Sequence, residues 1–156
     1  MLSGPAAALH TAKREGGLDT TSIPAAWAAA RAAHATPFLI ATVDKAGKVL
    51  SVTSSGDGGL HALRAALDSR AVQFCAFAFY AGDDASRLQR AAFVSSIGGE
   101  VGAIARGRVS LLKGGAAAAF AGTSAELHWA GTDGTSDAAV IETLARQCGK
   151  AVALLP

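Results

Sequence analysis

The most constraining feature of the chain is "AVQFCAFAFYAG", residues 71–82, a run whose alternating positions are apolar on both sides. Successive side chains of an extended strand point to opposite faces, so Phe74 faces one way while Phe77 and Phe79 face the other. A strand with one solvated face would alternate apolar and polar residues instead. We therefore predict a central strand of a sheet that is covered on both faces.

The segments before this run predict a helix, a hairpin and a second helix. In "SIPAAWAAARAAHA", Ser22 can cap a helix, Pro24 fits its first turn and Trp27 can anchor it on the core. The strand-like runs "PFLIATVD" and "KVLSVTSS", joined by "KAG", predict a hairpin. The segment "GDGGLHALRAALDSR" predicts a helix that Asp57 would cap.

The segments after the run predict a strand, a long helix, a further strand and a final helix. "RAAFVSSIG" and "AELHWAG" are strand-like, and "SDAAVIETLARQCG" is a helix with Ser136 at its start. The long helix should extend from about residue 100 to 121, with a kink or fray near Gly114. Its buried side is predicted to contain Val101, Ile104, Ala105 and Leu112.

This order of elements predicts an α/β (α+β) fold, in which helices cover both faces of a mixed sheet. The length of 156 residues is typical of one domain with a sizeable core. We expect a loose N-terminal extension over residues 1–21, a domain over 22–149 and a C-terminal tail over 150–156.

Several classes of function lack support in the sequence. The net charge of +2 is too small to indicate general affinity for nucleic acid, and no apolar run approaches the length of a membrane span. The four histidines lie in separate segments, and the glycine-rich stretches do not form a phosphate-binding loop. We expect no enzyme activity, no metal and no cofactor, and the two cysteines should stay reduced.

The basic residues are unevenly distributed along the chain. Residues 85–125 contain five basic residues and one acidic residue, whereas the remainder contains nine basic and eleven acidic residues. This asymmetry indicates a basic face for an acidic partner, although composition alone favours an ordinary solvated helix face. The five basic residues are Arg87, Arg90, Arg106, Arg108 and Lys113.

The stretch "FAFYAGDDASRLQRAAFVSSIGGEVGAIARGR" resembles the actin-depolymerising-factor (ADF) homology family, and within it the coactosins. The resemblance rests on a Phe-Ala-Phe strand, the Gly82-Asp83 turn, a basic strand start, an Ile97-Gly98 strand end and a basic helix. It needs no gap from Gly82 to Arg108. It implies a single ADF-homology domain, with five or six strands between two pairs of helices, that binds filamentous actin with little severing.

The resemblance also suggests which residues contact actin. The basic residue that begins the strand after the Gly-Asp turn is the main contact of the family, and Arg90 stands there. Cofilins use two lysines in the first turns of the long helix, where this chain has Gly102 and Ile104, and this departure argues against severing. Arg87, Arg106 and Lys113 are further candidates, and Arg108 is placed on another side of the helix.

Two other functions remain open at this point. The same fold serves in glia-maturation-factor-like adaptors of the actin-related nucleating complex. The alanine-rich first helix and the glycine-rich long helix would also suit a self-associating scaffold, or a lipid-binding domain that has lost its actin contacts. For the preferred function we expect a cytoplasmic, cytoskeletal protein that does not bind nucleic acid.

Overall fold

One six-stranded sheet organises the structure, a computed structural model that describes residues 17–132 and 134–155. The strands are β1 (Pro37–Val43), β2 (Leu50–Asp57), β3 (Val72–Ala81), β4 (Leu88–Ile97), β5 (Ala125–Ala130) and β6 (Val152–Ala153). The helices are α1 (Ile23–Ala33), α2 (Gly59–Ala65), α3 (Ala103–Ala119) and α4 (Asp137–Cys148).

The sheet is mixed, as predicted. Its strand order is β2-β1-β3-β4-β5, and β6 pairs with β3 beside its last residues. Every pair is antiparallel except β4 with β5, which are parallel and joined through α3. A parallel pair needs such a crossover, because the chain must return to the end of the sheet where the first strand began.

The sheet separates two apolar cores. Phe74 lies in the core beneath α1 and α3, together with Trp27. Phe77 and Phe79 lie in the core beneath α2 and α4. The prediction of a central strand covered on both faces is therefore confirmed, and so is the role of Trp27 as the anchor of the first helix.

The predicted inward side of the long helix is partly wrong. Ile104 is 75% exposed, and Val101 is buried but precedes the helix. The helix buries Val109, Leu112, Ala116 and Ala119, whose spacing of three and four residues defines one side. Ile104 lies one residue, about 100°, away from that series. The helix also continues unbroken past Gly114 to Ala119.

Helix caps could be predicted in one case and not in two others. The Ser136 hydroxyl accepts a hydrogen bond from the Ala139 backbone N–H at 3.2 Å, as expected. Asp57 does not cap α2, because β2 continues through it and its Oδ1 accepts from the backbone N–H of Thr36 at 2.7 Å. The Ser22 hydroxyl donates to the Leu50 carbonyl at 3.4 Å instead of capping α1.

The ends of the described chain contact its body. Leu18 and Thr20 are buried, and the backbone of Asp19 pairs with that of Lys48 and Leu50. Residues 18–20 thus differ from a loose extension, because the β1–β2 connection offers them backbone partners. Residues 1–16 of the predicted extension lie outside the described residues. In the tail, Leu154 is buried. The division of the chain at residues 21 and 149 stays a prediction.

Candidate functional site

Four of the five predicted cations are distributed between the two ends of the sheet. β4 is ten residues long, which corresponds to about 30 Å. Arg87 and Arg90 lie at its first end, beside the β3–β4 turn (residues 82–87). Arg106 and Arg108 lie in the first turns of α3, which follows the other end of β4. The structure therefore does not bring these four side chains together in one patch.

The β3–β4 turn is held by its own side chains. One oxygen of Asp83 accepts hydrogen bonds from the Ser86 hydroxyl, the Ser86 N–H and the Ala85 N–H at 2.8, 2.9 and 3.1 Å. These bonds, the Ser86 hydroxyl first, keep the pKa of the Asp83 carboxyl below its ordinary value. Gly82 has a φ of +116°, and a Cβ there would lie 2.7 Å from the Ser86 carbonyl oxygen. The Gly82-Asp83 pair thus fixes the direction of the turn.

The hairpin formed by β3 and β4 is also fastened to the end of α1. The Gln89 amide donates to the Ala35 carbonyl at 2.6 Å and to the Tyr80 hydroxyl at 3.0 Å. The Tyr80 hydroxyl donates to the same carbonyl at 3.1 Å. Sequence reasoning missed these residues, since nothing local in the sequence links positions 35, 80 and 89.

Arg90 and Arg87 differ in their surroundings. Arg90 lies opposite Phe79 and is half-buried. Its Nε is fully buried, and no described residue accepts a hydrogen bond from it. Arg87 pairs with exposed Asp84, with 3.0 Å between Nη2 and Oδ1. Surface pairs of this kind contribute about 0–1 kcal/mol. Of these two arginines, only Arg90 has a buried donor without an acceptor among the described residues.

The two arginines of α3 fold back onto nearby carbonyl groups. Arg106 donates from Nε to the Val101 carbonyl at 3.1 Å, and its Nη2 lies 3.4 and 3.5 Å from the carbonyl oxygens of Gly98 and Gly99. Arg108 donates to the Lys45 carbonyl at 3.4 Å. Both side chains therefore already have partners within the loops at this end of the sheet.

Lys113 lies in the middle of α3 and forms an ion pair with Glu126 of β5, with 2.5 Å between Nζ and Oε2. Arg106 and Lys113 are separated by two turns of α3, yet one side chain turns towards the start of the helix and the other reaches the sheet. The positive charge of Lys113 is balanced within the protein.

A cleft of about 430 Å³ lies where the β1–β2 connection, the α2–β3 connection and the start of α3 meet. Its floor contains Val43, Val72 and Leu112. The formal charges of its rim cancel, so it favours neither an anion nor a cation. The charged residues of the rim are Lys45, Arg70, Arg108, Asp44, Asp68 and Glu100.

The histidines and cysteines do not form a catalytic or metal-binding group within residues 17–132 and 134–155. His61 contacts Asp137, and His128 contacts the Ser95 hydroxyl, both at 2.8 Å. Both cysteines are free, and burial raises the pKa of the Cys75 thiol, which keeps it protonated. In these ranges no cluster of three or more His, Cys, Asp or Glu residues could hold a metal ion. Of the helices in these ranges, none has the length and hydropathy to span a bilayer.

A family model described as cofilin/tropomyosin-type actin-binding protein matches residues 18–145, most of the chain. The chain therefore belongs to the cofilin/ADF family, and the resemblance noted in the sequence is confirmed. Comparison with curated protein sequences gives no match.

Solved structures of coactosins share the fold. Coactosin from Entamoeba histolytica matches with a TM-score of 0.75 and 24% identity, over 86% of this chain and 99% of that one. Human coactosin-like protein matches with a TM-score of 0.70 and 16% identity, over 83% and 97%. Mouse coactosin, described as an actin filament binding protein, matches with a TM-score of 0.56 and 14% identity, over 90% and 87%. The sheet between two pairs of helices is thus an ADF-homology fold.

Proposed function

We propose that this protein binds filamentous actin in the manner of a coactosin, through the end of the β3–β4 hairpin, with Arg90 as the main contact. Membership of a family of actin-binding proteins and the fold shared with coactosins support actin as the partner. The function is cytoskeletal and cytoplasmic, and it includes no catalytic step or cofactor.

The observation that carries the proposal is the unsatisfied Nε of Arg90. A buried donor without an acceptor is unfavourable, and a turn of the side chain that brings Nε out to a partner carboxylate removes that cost. The guanidinium group can bind a carboxylate with two parallel hydrogen bonds, one of them from Nε. Of the candidate cations, Arg90 therefore gains the most hydrogen bonding when a partner docks.

The start of α3 favours filament binding without severing. Gly102 precedes the helix, and Ile104, an exposed side chain of its first turn, is uncharged. Arg106 is turned onto the carbonyls of residues 98–101. The first turn thus lacks the two free cations that the resemblance associates with cofilin-type severing.

Reversing the charge of Arg90 tests the proposal. We expect Arg90→Glu to abolish co-sedimentation with actin filaments, because truncating a buried, hydrogen-bonded charge pair typically costs 2–5 kcal/mol and reversal adds repulsion. Lys48→Glu is the matched control, since Lys48 is exposed in the β1–β2 connection at the other end of the sheet. It should pellet like the parent.

Both variants should melt like the parent, since Arg90 is only half-buried and Lys48 is exposed. An Arg90→Glu protein that melts normally and still pellets would contradict the proposal. A protein that binds the actin-related nucleating complex but not bare filaments would favour the glia-maturation-factor-like alternative.

Self-association is a second candidate, and the exposed side of α3 favours it. Ile104 and Leu111 are 75% and 79% exposed and lie two turns apart on the helix. Gly107 and Gly114 have open space where a Cβ would be, so another helix could approach closely. Light scattering that gives the mass of a single chain across concentrations would argue against this candidate.

A further inference from the structure

Leu88 is an exposed leucine at the start of a sheet strand, which sequence reasoning did not include in the site. It is 60% exposed. Among the described residues, the other exposed large apolar side chains lie on α3, in the β1–β2 connection or after β6. They are Val49, Ile104, Leu111 and Leu155.

The exposure of Leu88 follows from the shape of the sheet. Its partner in β3 is Ala81, whose side chain is too small to cover it. On the other side of β4, pairing with β5 begins only at Ala92. Leu88 thus extends beyond the part of β4 that has strands on both sides.

Leu88 and Arg90 project from the same face, because they are two residues apart in one strand. That face also carries Phe79, the cross-strand partner of Arg90. An exposed apolar group therefore lies beside a cation whose Nε has no described acceptor.

Hydrogen bonds hold the other face of the strand and the adjoining turn in place. Gln89, between the two residues, is bonded to Ala35 and Tyr80. The adjoining turn is held by Asp83. A surface that is ordered before binding loses less conformational entropy on docking.

We propose that Leu88 is the apolar anchor of the actin-binding site and that it inserts into an apolar depression of the filament beside the carboxylate that binds Arg90. This inference rests on the proposed function and specifies the chemistry of the docking surface. Burying an exposed leucine on docking contributes free energy in proportion to the apolar area removed from water, while neighbouring charges determine orientation and salt dependence.

The experiment compares Leu88→Ala, Arg90→Ala and the double variant by co-sedimentation with filaments at low and high salt. We expect Leu88→Ala to weaken binding about tenfold at both salt concentrations, because an apolar contact is not screened. Arg90→Ala should flatten the salt dependence. Val49→Ala, which shortens an exposed aliphatic side chain at the other end of the sheet, should bind like the parent.

Two more variants separate an apolar contact from a change in folding. Leu88→Met keeps the apolar volume and should bind within about twofold of the parent. Leu88→Gln has a similar size but is polar, and it should weaken binding as much as Leu88→Ala. If Leu88→Ala and Leu88→Gln bind like the parent while Arg90→Glu is defective, the anchor is wrong and the proposed function stands. If Arg90→Glu also binds normally, the hairpin is not the actin site.

Discussion

At the scale of single residues, adjacent glycines follow β4 in very different surroundings. A Cβ on Gly98 would lie 2.2 Å from the carbonyl oxygen of Ser69, whereas a Cβ on Gly99 would meet no atom within 4 Å. The N–H of Gly98 also donates to the Ala71 carbonyl at 3.0 Å. Gly98 therefore allows the end of β4 to lie directly against the α2–β3 connection.

We expect Gly98→Ala to destabilise the protein by about 1–3 kcal/mol, because the methyl group forces the two backbones apart. Gly99→Ala is the matched control and should change the free energy of unfolding by less than about 0.5 kcal/mol. Urea denaturation of the two variants and the parent measures the difference. Equal stability of the two variants would contradict the close approach.

Asp137 joins the first turn of α4 to α2. Its carboxylate contacts the His61 imidazole at 2.8 Å and the Arg64 guanidinium at 2.5 Å. The hydrogen bond from His61, and then that from Arg64, keep the pKa of Asp137 below its ordinary value of 3.8. A carboxyl whose pKa is lower in the folded state stabilises the fold above its unfolded-state pKa, and this stabilisation disappears as the pH falls through the lower value.

We therefore expect Asp137→Asn to melt below the parent at pH 6–7, and the difference to disappear as the pH falls below 3.8 towards the lowered pKa. Asp84→Asn is a suitable control, since Asp84 forms only a surface pair. Melting curves measured across this pH range test the expectation. A difference that persists at the lowest pH would assign the effect to something other than the carboxylate charge.

At the scale of elements, β5 is an edge strand of the sheet. Side chains from two helices contact it at Glu126. The Gln147 side chain of α4 accepts from the Glu126 N–H at 2.8 Å and donates to the Glu126 carbonyl at 2.7 Å. Lys113 of α3 binds the Glu126 carboxylate. Unpaired backbone groups of an edge strand can pair with other chains, so these contacts protect the edge.

Gln147→Ala removes both hydrogen bonds to the backbone of β5. We expect a loss of about 1–3 kcal/mol in the free energy of unfolding, because each bond contributes about 0.5–1.5 kcal/mol. We also expect more light scattering on prolonged incubation. Arg146→Ala, one residue earlier on the exposed side of α4, should do neither. A Gln147→Ala protein that is as stable and as monodisperse as Arg146→Ala would show that the edge needs no cover.

At the scale of the whole molecule, the arginines at the two ends of the sheet differ in whether their donors already have partners. The hairpin end presents Arg90 with an unsatisfied donor, while Arg106 and Arg108 at the α3 end donate to carbonyl groups of nearby loops. The proposed function engages filaments at the hairpin end alone, which leaves little means of separating neighbouring actin subunits. We expect labelled filaments to keep their length under the microscope at saturating protein, and rapid fragmentation would contradict this.

The sequence by itself determined five of the six strands and the presence of a core on each face of the sheet. The double-sided pattern of β3, the Ser136 cap and the strand-like runs of β1, β2, β4 and β5 are local signals, since periodicity and cap residues act within a few positions. The motif from Gly82 to Arg108 indicated the family, and the resemblance made Arg90 the first candidate for the site.

The tertiary structure decided which groups meet. Ile104 is exposed because α3 presents another side to the sheet, and Asp57 bonds Thr36 because β1 and β2 bring their ends together. Lys113 is neutralised by Glu126, thirteen positions later in the chain. The isolation of the Arg90 Nε and the exposure of Leu88 depend on where neighbouring strands begin. Side-chain partners far apart in sequence are set by packing, which no local pattern encodes.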